Sequence, residues 1–112
     1  MHMIEAVVKP SALDGIKAKL ASLGIHGCTA VEVKGFGKQK GHTERYRGGR
    51  MDVGFLPKVL LKIAVKEDDL DKAVEAITSE ARTGNVGDGK IFVYGLTKVV
   101  RVRTGETDQD AL

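Results

Sequence analysis

The chain has 112 residues, with 18 Lys and Arg against 15 Asp and Glu for a formal net charge of +3, and its 12.0 kDa is the size of one small domain spanning 1–112. At 42% hydrophobic and 29% charged, with apolar stretches only a few residues long, it excludes a membrane span. Glu5 and Lys9 interrupt the start before a signal-peptide core could form, and the lone Cys28 allows no internal disulfide, so a cytoplasmic location is expected.

Met3 to Lys9 alternates apolar residues and stops at Pro10, as a strand would. Ser11 stands three before Asp14, a box-like helix start, and Leu13, Ile16, Leu20 and Leu23 follow at helical spacing until Gly24. Cys28 to Lys34 alternates again and predicts a half-buried second strand. In the third strand Val59, Leu61, Ile63 and Val65 share one face, and Leu60, Lys62, Ala64 and Lys66 the other. Asp68 or Asp69 can cap a second helix whose stripe is Leu70, Ala73, Val74, Ile77 and Ala81. Ile91 to Leu96 reads as a fourth strand. Val99 to Arg103 reads as a short fifth, with Arg101 and Arg103 on one side. Strand, helix, strand, repeated, predicts an α+β, ferredoxin-like layer of two helices on a four-stranded antiparallel sheet. One sheet face is left uncovered, which self-association could hide.

Periodicity leaves two segments unexplained. Gly35 to Pro57 holds six glycines in 23 residues together with Lys38, Lys40, Arg45, Arg47 and Arg50. Compact domains seldom carry structureless loops beyond about 12–15 residues unless the loop has a task. A tolerated insertion is the bland reading; an arm that changes shape to meet a partner is the sharper one. Thr83 to Lys90 is the second segment, and its glycines and terminal lysine suit a phosphate. Gly84 to Lys90 fits G-x-x-x-x-G-K, yet Ile91 replaces the required Ser or Thr and the order is helix to strand, the reverse of a P-loop. A glycine-rich helix exit is the bland alternative. Arg101 and Arg103 beside Lys90 favour a shared anion.

Three stretches in order resemble the PII signal-transduction family over nearly the whole chain. Lys34-Gly35-Phe36-Gly37-Lys38-Gln39-Lys40-Gly41-His42-Thr43-Glu44, Tyr46-Arg47-Gly48 and Phe55-Leu56-Pro57-Lys58 look like its T-loop, 35–57. Thr83-Gly84 with Gly87-Asp88-Gly89-Lys90 looks like its B-loop, 83–90, and Arg101-Val102-Arg103-Thr104-Gly105 opens a C-terminal loop, 101–112. The resemblance implies a homotrimer that binds ATP or ADP in clefts between subunits and controls other proteins without catalysis. It implies nucleotide contacts from Gly27, Cys28, Thr29 and Ala64 on the adenine side, from Lys38, Gly87, Lys90, Arg101 and Arg103 at the phosphates, and from Gly37, Gln39, Asp88 and Gly89 elsewhere on the nucleotide. Gln39 would also reach a Mg²⁺ shared by ATP and 2-oxoglutarate, and Lys58 and Gly87 would meet that effector. Arg47 and Tyr46 would contact a partner, an ammonium transporter or a nitrogen-assimilation enzyme, so that any membrane association runs through the transporter.

The sequence also departs from the family pattern. Met51 stands where many members carry a nucleotidylated tyrosine, and Gly49 where others carry a phosphorylated serine. Lys38 replaces a usual arginine, Lys62 a common glutamate, and Arg50 and Gly54 usually acidic residues. A divergent member serving a bicarbonate or other transporter, with weak response to 2-oxoglutarate, is the second reading within the family. An RNA-recognition module is disfavoured, because Lys34-Gly35-Phe36-Gly37 lies on the wrong strand for its signature and no aromatic falls between Met3 and Val8, so no nucleic acid is expected. An enzyme is disfavoured too: His2, His26 and His42 lack ligand spacing, and no Ser/His/Asp set is apparent.

Overall fold

A computed structural model describes residues 1–37 and 54–112. Six elements follow in order: β1 (His2–Val8), α1 (Leu13–Ser22), β2 (Thr29–Gly35), β3 (Leu56–Val65), α2 (Leu70–Ala81) and β4 (Gly89–Gly95). The four strands form one antiparallel sheet in the order β2-β3-β1-β4. Each half therefore splits its two parallel strands around a strand of the other half, which is the ferredoxin-like arrangement.

Strand alternation decides the core. Ile4, Ala6 and Val8 of β1 and Val59, Leu61, Ile63 and Val65 of β3 are buried beneath Ile16 and Leu20 of α1 and Ala73, Ala76 and Ile77 of α2. Burying a side chain the size of Leu61 or Ile77 contributes about 1.5–3 kcal/mol. The same register turns Met3, Glu5 and Val7 of β1, Leu60, Lys62 and Ala64 of β3, Thr29, Val31 and Val33 of β2, and Phe92 and Tyr94 of β4 onto the opposite, open face.

Several expectations need correction. Neither helix starts on a side-chain cap: Pro10–Ala12 and Glu67–Asp69 form 3₁₀ turns, and backbone bonds from Ala12 N–H to the Lys9 carbonyl and from Asp69 N–H to the Lys66 carbonyl replace the Ser11 and aspartate caps. Asp69 instead pairs with Lys72 at 3.1 Å. β2 is mostly exposed rather than half-buried, because it is an edge strand beyond the reach of the helices. No fifth strand forms at 99–103. Val100 makes an isolated bridge to Thr107, and Gly105 N–H bonds back to the Arg101 carbonyl, so the backbone turns where a strand would run on. β3 begins at Leu56 and β4 at Gly89, inside the segments read as T-loop and B-loop. Among the described residues no helix is long and apolar enough to cross a membrane.

Candidate functional site

At one end of the open face, the loop from Gly24 to Cys28, β2, β3 and the C-terminal segment enclose a cavity of about 910 Å³. Gly27, Cys28, Thr29 and Ala64 line it, joined by Arg101. Ala64 pairs with Met3 across β3 and β1, which fixes this wall at the start of β1. The volume lies in the upper part of the range for small-molecule pockets, about 300–1,000 Å³. Arg101 reaches the cavity through the turn that replaced the expected strand. Its guanidinium donates to Glu106 Oε1 at 2.7 Å and to the Ala111 carbonyl at 3.3 Å, while its amide donates to the Glu106 carbonyl at 2.8 Å. Arg103 is exposed on the same turn and does not line the cavity, and no strand runs here to set the two arginines on one face.

The glycine-rich segment lies at the other end of the sheet. Gly89 and Lys90 pair with Val8 and Val7, which puts Lys90 on the open face. A five-residue offset along β1 separates Met3, beside Ala64, from Val8, beside Gly89, a distance of about 17 Å. The loop is closed from within by Asp88. Its carboxylate accepts the Thr83 amide at 2.7 Å, the Gly84 amide at 2.8 Å and the Thr83 hydroxyl at 2.5 Å, and Lys9 stands 3.4 Å away. These bonds, led by the Thr83 hydroxyl, hold the Asp88 carboxyl well below the usual carboxylate range. The Asp88 side chain therefore organises the loop. Gly89 is required where it stands: at φ +113° a Cβ would run into the Val7 carbonyl.

Lys58 ties this loop to the base of β3. It is buried, and its Nζ donates to the Gly87 carbonyl at 2.7 Å. Burial first, then the like charge of Lys9, push its pKa down, with Asp88 opposing. Nearby, the Phe36 and Phe55 rings meet at 5.8 Å, tilted by 54°, and Gly54 stands at φ +120°, where a Cβ would press on the Phe36 ring. Gly37 is the last described residue before this gap. Lys38, Gln39, Tyr46 and Arg47 lie outside the described residues, as do Gly49, Arg50 and Met51. No cluster of three or more His, Cys, Asp or Glu suited to a metal occurs among the described residues.

The cavity also includes Lys62, which sequence reasoning did not assign to it, although alternation had put Lys62 and Ala64 on one face. The signal was there to be used. The Asp88 ring, in contrast, had no sequence signal beyond the aspartate itself.

Comparison with known proteins decides the family. The model for the family described as nitrogen regulatory protein P-II matches residues 1–106. The chain belongs to the P-II family. It is 54% identical over 112 residues, covering both chains completely, to the nitrogen regulatory protein P-II of Rhizobium etli. It is 52% identical with the same full coverage to that of Pasteurella multocida and to nitrogen regulatory protein P-II 1 of Escherichia coli K12. In this P-II chain the candidate site residues gather in two places, the cavity around Ala64 and Arg101 and the glycine-rich loop tied to Lys58.

Proposed function

We propose that this P-II chain is a non-catalytic cytoplasmic regulator that binds ATP or ADP, responds to 2-oxoglutarate together with Mg²⁺ and ATP, and acts through the arm 35–57 on a transporter or enzyme of nitrogen metabolism. One observation carries the reading. The cavity gathers Gly27, Cys28, Thr29, Ala64 and Arg101, whereas Gly87, Lys90 and Lys58 stand at the far end of the same sheet face. A site using both sets needs two chains, the second bringing its glycine-rich loop to the first one's cavity. This separation supports the homotrimer with nucleotides at its subunit junctions that the family resemblance implies, and the open sheet face supplies a surface to bury.

In such a junction, backbone groups at Gly27 to Thr29 and the Ala64 wall orient the adenine, and Arg101 neutralises phosphate charge. Arg103 and the neighbour's Lys90 add to that charge if the turn and the loop close on the ligand. Lys58 is a partly desolvated ammonium beside the Gly87 carbonyl, a donor suited to a carboxylate of the effector. Gln39 and Lys38 would complete the Mg²⁺ and phosphate contacts. Mg²⁺ would supply charge bridging between the polyphosphate and the dicarboxylate. Relocation of Lys58 onto such an effector would release Gly87 and the strand base it anchors, coupling occupancy to the arm.

Calorimetric titration of ATP, ADP and AMP with Mg²⁺, with and without 2-oxoglutarate, tests this. Binding of ATP and ADP, with ATP tightened by 2-oxoglutarate, is expected. A monomer that takes up neither nucleotide at millimolar concentration overturns the reading. Nucleotide binding indifferent to 2-oxoglutarate moves the chain to the divergent, carbon-side alternative, in which a bicarbonate-linked transporter is the partner.

A further inference from the structure

The cavity contains a cation whose position follows from strand geometry alone. Lys62 is two residues along β3 from Ala64 and directly opposite Thr29 of β2, so it shares their face and lines the same cavity. Two steps along a strand span about 7 Å. That is about the reach of a ribosyl unit, and it runs from the Ala64 wall toward the end of the sheet where the glycine-rich loop lies.

Two of the other charged side chains of this wall have short ion-pair partners. Arg101 is held by Glu106 at 2.7 Å and Asp69 by Lys72 at 3.1 Å. Lys66 follows the end of β3, on the side of Ala64 away from the glycine-rich loop. Lys62 makes a loose ion pair, 3.8 Å to Glu5 Oε2, with its side chain 41% exposed. That same Glu5 oxygen accepts the Tyr94 hydroxyl at 2.6 Å, so it keeps a strong donor when Lys62 leaves. Reaching into the cavity therefore strands no buried charge and breaks no short bond.

We propose that Lys62 is a specificity-determining residue that contacts the phosphate nearest the ribose of an adenine nucleotide seated in this cavity. The inference rests on the nucleotide reading above and adds to it a contact shared by AMP, ADP and ATP. A nucleoside, which lacks that phosphate, gains nothing from Lys62. The ammonium is a point charge on a flexible stem, so arginine can replace it in reach and charge, while methionine keeps the stem and removes the charge.

The test is calorimetry on the full chain and its Lys62→Met and Lys62→Arg variants with adenosine, AMP, ADP and ATP, with thermal melting to verify the fold. Lys62→Met is expected to weaken AMP, ADP and ATP alike, by about fivefold, the scale of a partly exposed charge pair. Adenosine should be unaffected, and Lys62→Arg should retain most of the affinity. An unchanged AMP-to-adenosine ratio in Lys62→Met, or a loss confined to ATP, overturns the role of Lys62 while leaving the nucleotide reading intact. A wild-type chain that binds none of the nucleotides overturns the nucleotide reading itself and this contact with it.

Discussion

Asp88 illustrates how one carboxylate can shape a glycine-rich loop from within. Its acceptors are filled by the Thr83 and Gly84 amides and the Thr83 hydroxyl, so replacing it leaves three donors without their partner. Small misplacements of binding groups cost up to about 100-fold, and Asp88→Ala is expected to weaken ATP binding roughly tenfold. Amide hydrogen exchange at Thr83 and Gly84 should quicken in the same variant; unchanged exchange would remove the premise. The pH dependence has a definite sign. Because folding lowers the pKa of Asp88 below its ordinary 3.8, its contribution is complete above that value and is lost only as pH falls through the lower, folded one. A carboxyl-carbon NMR titration should therefore find Asp88 still ionised at pH values where exposed aspartates have protonated. Of these residue-level features, Ala64, Thr29 and Cys28 were accessible from sequence by resemblance and Lys62 by alternation. The Asp88 ring was not, because it depends on positive φ at Gly84 and Gly87, which bends the loop back onto its own start.

At the scale of elements, the period-2 and period-3.6 patterns were legible because burial enforces them. Ile4, Ala6 and Val8 or Ile16 and Leu20 cannot shift by one residue without exposing the core. Element ends were less legible, since they are set by backbone bonds that carry no side-chain signature. The 3₁₀ entries into α1 and α2 need only carbonyls at Lys9 and Lys66, and Ser11 in a capping-box pattern misled for that reason. The fifth strand failed because Glu106 draws both the amide and the guanidinium of Arg101 into a turn. β4 offers a direct check on why glycines crowd its start. Gly89→Ala should lower stability by about 1–3 kcal/mol through backbone conflict with Val7. A thermal melt matching wild type would mean that Gly89 serves ligand approach alone.

For the whole molecule, the informative surface is the sheet face without helices. Val31 is 43% exposed, Phe92 50% and Tyr94 45%, and all three lie on that face with the half-buried Val7 and Leu60. An apolar surface of this kind is normally covered in solution. Light scattering should report three times the 12.0 kDa of one chain, and a charge on the β4 edge of the face, Phe92→Asp, should reduce that mass and the nucleotide affinity together. Loss of one without the other would separate assembly from binding. The fold and its uncovered face were foreseeable from alternation, whereas the separation of the cavity from the glycine-rich loop was not, because it depends on antiparallel register. That register has one further effect. Residues 56–58 of β3 run past the last β1 partner and pair with β2 alone, so Lys58 sits at the root of a two-stranded ribbon tipped by Phe36 and Phe55. Such a ribbon twists more readily than a wide sheet. A single tether near its pivot holds the described tip, Phe36 and Phe55, to its bearing, as a rudder is governed from its stock, so loss of the Lys58 contact to Gly87 would let that tip turn while the body of the domain stays still.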